Sequence, residues 1–499
     1  MTDPCTFVIF GATGDLARNK LLPALYHLDA AGRLHPDTRI LANGRRHPDR
    51  DIWLAEIRSH LAGAVRGGLS DEVFARFAAR TDYMRGDLRD TTFYDTLYRK
   101  LSDNNDFPAD LAFYMALSPA EYADVISNLD RAKLLDENRG WRRVVIEKPF
   151  GSDLKSARVL QQRLAAHLRE EQIFRIDHYL GKETVRNILV FRFGNVLMEP
   201  LWNRNTIDHI QIIHAEPQGI GGRGATYEKS GAMSDMIQSH LLQLLTFVAM
   251  ESPVSMAADA IHAEKLKVLK SIRPIPSDKV RDVAVRGQYD AGTVSGNAVI
   301  GYRDEEGVAG NSHTETFCAL KLHIDNWRWA GVPFLLRTGK RMTQKQALVA
   351  ICFKQPPQQF FRASHVHCEA SNWLLIGIQP HECMRLEMTV KAPGEALATR
   401  QTGLDASFRR ADEIVNDAYE ELLLDIIRND RSLFLSYEEV EQAWRIVDPI
   451  QQAWSRPGED LHAYKAGSWG PTEADRLFDD PCRFWRNTLE PCGCGIKQL

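Results

Sequence analysis

A short charged stretch near one third of the chain contains residue types suited to binding an anion. It alternates cations, a carboxylate and a phenol around a glycine, in the order Arg175-Ile176-Asp177-His178-Tyr179-Leu180-Gly181-Lys182-Glu183. Because only two of these residues are aliphatic, the stretch cannot bury an apolar face, and its charges need an anion, other side chains or water as partners. Taken alone, the stretch is also consistent with a solvated loop.

A histidine farther along the chain is a candidate general base. His240 lies near the start of an apolar helical stretch that also contains Asp235. An imidazole with a pKa of about 6.5 can accept a proton from a hydroxyl group near neutral pH. A lone histidine beside leucines is nevertheless more often a core residue, so its role depends on the elements around it.

The bulk composition limits what those elements can be. A chain of 499 residues with 44% hydrophobic and 26% charged residues is typical of a globular protein with two or three domains. A formal charge of -4 gives no overall attraction for nucleic acid. Because no apolar run approaches the ~18 residues of a membrane span and no secretory signal is visible, we expect a cytoplasmic protein without a membrane partner.

The cysteines predict neither a disulfide framework nor a structural zinc site. Eight are scattered along the chain: Cys5, Cys318, Cys352, Cys368, Cys383, Cys482, Cys492 and Cys494. The single close pair, Cys492-Gly493-Cys494, supplies too few ligands for a structural zinc ion. We therefore predict reduced thiols and no metal, and the purpose of the Cys-Gly-Cys tail stays open.

A strand, a glycine turn and a helix at the N-terminal end predict a dinucleotide-binding unit. Thr6–Phe10 is typical of a buried strand, and Arg18–Leu28 has helical apolar spacing. Between them, Gly11 permits a tight turn, and Gly14 lets the helix start lie close to a pyrophosphate. The turn departs from the G-x-G-x-x-G pattern because Thr13 occupies the position of the middle glycine. Alone, such a turn is a moderate signal.

The residues after the second strand favour NADP over NAD. NAD enzymes usually place Asp or Glu at the end of this strand, where the carboxylate binds the ribose 2′-hydroxyl. Here the strand Thr38–Asn43 is followed by Gly44-Arg45-Arg46, and a guanidinium group suits a 2′-phosphate. Surface arginines are common, so an ordinary exposed pair remains an alternative. We predict that Arg45 binds the 2′-phosphate and that the cofactor is NADP.

Another buried strand, Val144–Ile146, runs into Glu147-Lys148-Pro149-Phe150-Gly151. Lys148 therefore emerges at the carboxyl end of a parallel strand, where open α/β sheets bind their ligands. The segment Gly86-Asp87-Leu88 falls where a further strand of such a sheet would end. The peptide bond before Pro149 can be cis or trans, and the sequence does not decide between them.

The regular alternation of strand and helix stops after Ile173. Longer β-like stretches follow, such as Ile207–His214 and Thr316–Ile324, together with long amphipathic helices near Ser230–Met250 and Ala411–Arg428. This pattern predicts an α/β Rossmann-like N-terminal domain followed by an α+β domain with a large, mainly antiparallel sheet. With the boundary near Arg175, we expect residues 1–175 to bind the nucleotide and residues 176–499 to bind the substrate.

In their order and spacing, these motifs resemble the glucose-6-phosphate dehydrogenase family over nearly the full length of the chain. The resemblance implies oxidation of D-glucose 6-phosphate at C1 to 6-phospho-D-glucono-1,5-lactone, with direct hydride transfer to NADP and no metal. This reaction is the first step of the oxidative pentose phosphate pathway. The resemblance also implies a homodimer or homotetramer that assembles through residues 176–499.

The same resemblance assigns roles to single residues. It implies that His240 is the general base and that Asp177 stabilises the resulting imidazolium, as the carboxylate does in a Ser-His-Asp triad. The implied phosphate ligands are His178, Tyr179, Lys182 and Lys345, and the implied further substrate ligands are Lys148, Glu216, Asp235 and Lys340. The implied cofactor ligands are Gly11, Thr13, Gly14, Asp15, Leu16, Arg45, Asp87, Leu88 and Lys148.

Two other functions remain open at this point. The Glu-Lys-Pro element also occurs in NAD(P)-dependent sugar oxidoreductases typified by inositol dehydrogenase, which would act on an unphosphorylated polyol. The cations His178, Lys182 and Lys345 argue against that alternative. A catalytically silent NADP-binding sensor is the second alternative, but such a protein would not need the combination of Lys148, Asp177 and His240.

Overall fold

The structure is a computed structural model, and it describes residues 2–103, 106–358, 360, 371–394, 398–408, 413, 416–456 and 460–490. Residue contacts group the chain into two compact units. The first comprises Met1–Lys182, Pro253–His262 and Val415–Glu441, and the second comprises Glu183–Ser252, Ala263–Ile414 and Gln442–Leu499. Strands and helices are numbered along the chain, and each unit is described by itself.

The first unit is built on a seven-stranded sheet. In hydrogen-bonded order its strands are β17 (Phe434–Leu435), β6 (Ile173–Ile176), β5 (Arg142–Glu147), β4 (Leu111–Met115), β1 (Thr6–Phe10), β2 (Arg39–Gly44) and β3 (Thr81–Arg85). Strands β1 to β6 pair in parallel, and β17 pairs antiparallel with β6. The order 3-2-1-4-5-6 is that of dinucleotide-binding sheets, in which ligands bind at the carboxyl ends of the strands.

The sequences of these elements explain their places. β1 and β4 are buried at every position, because parallel strands covered on both faces need continuous apolar runs. Several helices begin at acidic caps; Asp49 accepts a hydrogen bond from the Ile52 N–H group, for example. The helices of this unit are α1 (Leu22–Ala30), α2 (Arg50–Ala64), α3 (Asp71–Ala79), α4 (Thr91–Ser102), α5 (Tyr122–Arg131), α6 (Leu154–Ala165) and α12 (Ala418–Arg428).

The second unit is built on a nine-stranded sheet. Its order is β16 (Thr399–Ser407), β15 (Cys383–Lys391), β14 (Trp373–Gln379), β13 (Gln346–Phe353), β7 (Ile207–Ala215), β12 (Pro333–Gly339), β11 (Phe317–His323), β8 (Ala284–Asp290) and β18 (His462–Lys465). The pairs β7–β12 and β8–β18 are parallel and the other pairs are antiparallel. A separate hairpin joins β9 (Gly292–Val294) to β10 (Asn297–Val299).

The second unit has its own set of helices. They are α7 (Glu183–Phe193), α8 (Gly224–Tyr227), a π-helix (Met233–Leu241) that continues into α9 (Leu242–Ala249), and α11 (Val280–Val283). Two further helices, α10 (Ala258–Ser271) and α13 (Tyr437–Trp454), contribute residues to both units. In the described ranges, none of the helices is both long enough and apolar enough to cross a membrane.

The predicted fold class is confirmed: a parallel α/β unit is accompanied by a mainly antiparallel sheet with helices. The strands expected at 207–214 and 316–324 are β7 and β11. The helix expected to begin at Ala411 begins instead at Ala418, because the carboxylate of Asp417 caps it by accepting the Tyr419 N–H group. Residues 411, 412, 414 and 415 of that expected helix lie outside the described residues.

Among the cysteines in the part of the chain that the structure describes, the prediction of reduced thiols is wrong for Cys482. Cys482 is disulfide-bonded, whereas Cys5, Cys318, Cys352 and Cys383 are free thiols. A disulfide requires two Cβ atoms ~4 Å apart in the folded chain, and scattered cysteines in a sequence do not reveal such a distance. The remaining three, Cys368, Cys492 and Cys494, lie outside the described residues.

Candidate active site

The turn after β1 has the geometry of a pyrophosphate cradle. Gly11 adopts a φ of 77°, and a Cβ atom there would lie 2.2 Å from the carbonyl oxygen of Ala116, so only glycine fits. The Gly14 N–H group donates to the Gly11 carbonyl at 2.9 Å, and the Arg18 N–H group donates to Gly14 at 3.1 Å. The helix therefore starts within the turn, first as the π-helical segment Ala17–Leu21. Backbone N–H groups at such a helix start attract phosphate.

The other predicted cofactor residues lie in neighbouring turns at the same edge of the parallel sheet. Arg45 is exposed directly after β2, and a Cβ atom on Gly44 would lie 2.7 Å from the Thr13 side chain, so these two turns pack together. After β3, the carboxylate of Asp87 accepts a hydrogen bond from the Arg89 guanidinium at 2.6 Å. Hydrogen bonds from Arg89 lower the pKa of the Asp87 carboxyl to about 2. These turns also contain the predicted cofactor residues Asp15, Leu16 and Leu88.

Lys148 directly follows β5 at this edge of the sheet, next to the buried residue Glu147. The peptide bond between Lys148 and Pro149 is cis. Glu147 accepts hydrogen bonds from the hydroxyl of Tyr114 at 2.5 Å and from that of Tyr419 at 3.1 Å. Burial raises the pKa of the Glu147 carboxyl to about 7, although the two tyrosines and Lys148 favour its charged form. These tyrosines could not be assigned from the sequence, since Tyr419 lies 272 residues from Glu147.

The charged stretch that follows β6 folds into a tight turn. Asp177 is fully buried; its Oδ1 atom accepts the Tyr179 N–H group at 3.0 Å and its backbone carbonyl accepts that of Leu180 at 2.9 Å. The ammonium of Lys182 lies 3.7 Å from the centre of the Tyr179 ring, a cation–π contact. The turn therefore groups three of the predicted phosphate ligands: His178, Tyr179 and Lys182.

Helix α12 supports this turn from a distant part of the sequence. The ring of Tyr419 lies parallel to that of His178, with 6.4 Å between centroids and 9° between planes. A Cβ atom on Gly181 would lie 3.0 Å from the backbone of α12, so the turn packs directly on the helix. A salt bridge of 2.7 Å between Arg33 and Glu421 ties α12 to the nucleotide-binding part of the unit. The orientation of His178 therefore depends on residues that no local motif indicated.

In the second unit, three predicted substrate ligands form one ionic cluster. Strands β7 and β12 are parallel with Ala215 opposite Gly339, so the next residues, Glu216 and Lys340, emerge side by side. Lys340 is only 5% exposed, and its ammonium contacts Glu216 and lies 3.4 Å from Asp235. Burial opposes ionisation of Glu216, but the charges of Lys340 and His214 and the hydrogen bond from Lys340 together outweigh it and hold the pKa of that carboxyl below its usual value.

Lys345, the predicted second-unit ligand of the phosphate, stands at the same edge of the nine-stranded sheet. It is exposed and directly precedes β13. Because β13 runs antiparallel to β7 and its first residue, Gln346, pairs with Ala215, Lys345 lies beside the segment that carries Glu216. The strand ends thus place predicted phosphate and hydroxyl ligands in the same region of this unit.

The π-helix places Asp235 and His240 on similar sides of one helix. In an α-helix, residues five apart differ in direction by about 140°. In the π-helix Met233–Leu241, hydrogen bonds run from residue i to i+5, so residues five apart lie nearly above one another. His240 is almost fully buried. The sequence predicted the helix but gave no signal for its π-helical winding.

A cluster elsewhere in the second unit resembles a metal site in composition only. Ligand atoms of Asp208, His209 and Cys352 lie within 4.8 Å of one another. Asp208 already binds the guanidinium of Arg483 at 2.7 Å and Nδ1 of His209 at 2.7 Å, and Nε2 of His209 lies 3.0 Å from the Gln211 amide. With both ring nitrogens engaged and a cation adjacent, the cluster is a buried polar network rather than a place for a metal ion.

Comparisons with known proteins agree with this geometry. Residues 8–187 match the family described as glucose-6-phosphate dehydrogenase, NAD binding domain, and residues 189–486 match glucose-6-phosphate dehydrogenase, C-terminal domain. The chain is 45% identical over 491 residues to the glucose-6-phosphate 1-dehydrogenase of Rhizobium meliloti (strain 1021), covering 98% of each protein.

Two solved structures are also similar to this chain. The glucose-6-phosphate 1-dehydrogenase from Mycobacterium avium has a TM-score of 0.84 and 36% identity, over 99% of this chain and 100% of that one. A glucose-6-phosphate dehydrogenase in complex with its substrate glucose-6-phosphate has a TM-score of 0.86 and 33% identity, over 96% of this chain and 98% of that one.

The raised pKa of Glu147 leads to a prediction about stability. A carboxyl whose pKa rises from 4.5 to about 7 on folding favours the folded state below pH 4.5 and loses that contribution as the pH rises to about 7. Glu147→Gln keeps an acceptor for both tyrosines but cannot ionise. The variant should therefore gain thermal stability relative to the original protein between pH 5 and 8, by up to about 3 kcal/mol. If the unfolding midpoints of the variant and the original protein differed by the same amount at pH 5 and at pH 8, this expectation would be contradicted.

Proposed function

This chain belongs to the glucose-6-phosphate dehydrogenase family, and we propose that it oxidises D-glucose 6-phosphate at C1 to 6-phospho-D-glucono-1,5-lactone with NADP as hydride acceptor. The observation that carries the proposal is the turn after β6, because it groups His178, Tyr179 and Lys182 as donors for a phosphate monoester. An unphosphorylated polyol would have no use for this group of donors. The reaction would be the first step of the oxidative pentose phosphate pathway.

The residues at the edge of the parallel sheet fit NADP. The positive φ of Gly11 and the helix start at Gly14 suit a pyrophosphate, because backbone N–H groups at a helix start attract phosphate. The exposed guanidinium of Arg45 is suited to the 2′-phosphate, and the further cofactor ligands are Thr13, Asp15, Leu16, Asp87, Leu88 and Lys148. When bound, the nicotinamide supplies the acceptor for the hydride that leaves C1.

His240 is the proposed general base. Oxidation of the C1 hydroxyl removes a proton from oxygen as well as a hydride from carbon, and Nε2 or Nδ1 of a neutral imidazole can accept that proton. A charged imidazolium at a buried position needs stabilisation, and the fully buried Asp177 is the proposed carboxylate for this role. Lys148, at the carboxyl end of β5, is proposed to contact both the substrate and the cofactor.

The sugar and its phosphate call for different ligands. The cluster of Glu216, Asp235 and Lys340 offers both acceptors and a donor, which suits a set of sugar hydroxyl groups. The phosphate is a dianion and needs the cationic and hydroxyl donors His178, Tyr179, Lys182 and Lys345. We therefore assign hydroxyl binding to the first group and phosphate binding to the second.

The wider organisation follows the same family. We propose that residues 1–175 bind NADP and that residues 176–499 bind the sugar phosphate and carry the contacts of a homodimer or homotetramer. A cytoplasmic location is proposed with it. Size-exclusion chromatography with light scattering measures the assembly directly.

The role of His240 predicts a loss of turnover. His240→Asn should lower kcat by ~10²–10⁴, the usual contribution of a general base, while glucose 6-phosphate still binds. Asp177→Asn should lower kcat by a smaller factor, because the imidazole remains. His209→Asn is the matched control, since it removes another buried imidazole of the second unit and should retain kcat. Near-normal turnover in the His240 variant would remove that residue from the mechanism.

The role of Arg45 predicts a change in cofactor preference. Arg45→Ala should weaken NADP binding by about 1.5–3 kcal/mol, the value of a charge-assisted hydrogen bond, and should leave NAD binding nearly unchanged. The neighbouring exposed residue provides a control: Arg46→Ala should affect neither nucleotide strongly. Dissociation constants from fluorescence titration would decide the matter. Equal losses for NADP and NAD in the Arg45 variant would show that this residue does not bind the 2′-phosphate.

Binding of the phosphate predicts that Lys182→Ala changes kcat/KM for glucose 6-phosphate and for free glucose by different factors. Free glucose should react with a kcat/KM on the order of 10³-fold or more below that of glucose 6-phosphate. Lys182→Ala should lower kcat/KM for glucose 6-phosphate at least ~10-fold but hardly change that for glucose. Lys155→Ala, an exposed change on α6, should alter neither. If the unmodified protein used both sugars equally well, an unphosphorylated substrate would become the better assignment.

A further inference from the structure

A buried carboxyl group in the second unit contacts the helix of Asp235 and His240. Glu315 is 8% exposed and lies just before β11. No motif in the sequence indicated it, and it has no part in the reaction proposed above. Its position is informative because it lies at the N-terminal end of the π-helix rather than among the substrate ligands.

The contacts are those of a helix cap. The Met233 N–H group donates to Oε1 of Glu315 at 3.0 Å, and the Ala232 N–H group donates to the Glu315 carbonyl oxygen at 2.9 Å. The first N–H groups of a helix have no partner within the helix. Glu315, which lies outside the helix, therefore satisfies two of these N–H groups, and its carboxylate also suits the positive end of the helix dipole.

The backbone before the helix is adapted to this carboxyl group. Gly231 is buried with a φ of 61°, and a Cβ atom there would lie 2.3 Å from Oε1 of Glu315. A side chain at this position would be strained by its backbone conformation and would also collide with the carboxyl group. Gly231 thus lets Glu315 reach the Met233 N–H group.

Thr316, the residue after Glu315, binds the backbone of Lys340, which is the partner of Asp235 in the ionic cluster. The Lys340 N–H group donates to the carbonyl of Thr316 at 2.9 Å. The hydroxyl of Tyr464 donates to the Lys340 carbonyl at 2.7 Å and lies 3.0 Å from the Thr316 hydroxyl. Two consecutive residues therefore fix the backbone of Lys340 and the start of the helix that carries Asp235.

We propose that Glu315 is a positioning residue for substrate binding: by capping the π-helix, it sets Asp235 against Lys340 in the arrangement that receives the sugar hydroxyl groups. This inference rests on the proposed function, since it takes Asp235 and Lys340 as sugar ligands. Asp235 is only two residues beyond the capped Met233, whereas His240 is seven residues beyond it. Loss of the cap should therefore disturb sugar binding more than proton transfer.

Two substitutions at position 315 separate the hydrogen bond from the charge. Burial raises the pKa of the Glu315 carboxyl above its usual value, so Glu315→Gln, which keeps the Oε1 acceptor, is a close substitute and should bind the sugar phosphate nearly normally. Glu315→Leu has similar size but no acceptor. It should raise the KM for glucose 6-phosphate at least ~10-fold, as expected when a buried N–H group loses its partner, with a smaller change in kcat.

Three controls guard against a general loss of stability. Glu387→Leu removes another buried carboxylate of the same unit, which binds Arg486 at 2.7 Å; it should lower the unfolding midpoint but leave KM unchanged. Gly231→Ala should displace the Glu315 carboxyl group and raise KM as Glu315→Leu does. Hydrogen exchange of the peptide containing Ala232 and Met233 reports the cap independently of activity, and it should become faster in Glu315→Leu and not in Glu315→Gln.

The outcomes are distinct. A raised KM with faster exchange in Glu315→Leu and Gly231→Ala, together with near-normal values in Glu315→Gln, would support the proposal. An unchanged KM in Glu315→Leu, or an equally raised KM in Glu387→Leu, would overturn it. Absence of turnover with glucose 6-phosphate in the unmodified protein would instead contradict the proposed function, and the exchange measurement would still decide whether Glu315 caps the helix.

Discussion

The site of the second unit depends on one constraint, the nearly complete burial of the Lys340 ammonium group. A buried, unpaired charge is strongly unfavourable, so Lys340 requires counter-charges, and Glu216 and Asp235 supply them. One comes from the end of β7 and the other from the π-helix. The strand ends and the helix must therefore meet at one place for the unit to fold, and the same meeting creates a set of polar groups that can bind a sugar.

The first unit meets a similar constraint with different partners. Glu147 is buried beside two tyrosine hydroxyls, and burial raises the pKa of its carboxyl. Glu216 is partly exposed beside an ammonium, and that charge helps to lower the pKa of its carboxyl. The two side chains are chemically identical and both stand at strand ends, so the opposite pKa shifts arise from their different burial and different neighbours. One unit thus holds a carboxyl that is readily protonated, and the other holds one that stays charged.

Local signals explain what the sequence could predict. The apolar run of β1, the glycine turn at Gly11 and the position of Lys148 after β5 depend on residues adjacent in the chain. The contacts of Tyr419 with Glu147 and His178 and the cap that Glu315 provides depend on residues far apart in the chain. The π-helical winding at Met233–Leu241 also has no local signal, since the composition of this segment is that of an ordinary helix.

The buried ammonium of Lys340 and its carboxylate partners also bear on why these residue types occupy these positions. Replacing a buried ion pair by well-packed apolar residues is often neutral or stabilising, so stability alone does not require Lys340, Glu216 and Asp235 at these positions. Capping the helix with Glu315 also requires a glycine in a left-handed conformation at position 231, so it is likewise more elaborate than a serine or aspartate cap. Arrangements that folding does not require are found where binding requires them. The polar edge of the nine-stranded sheet is therefore best explained by the sugar ligand that we propose for it.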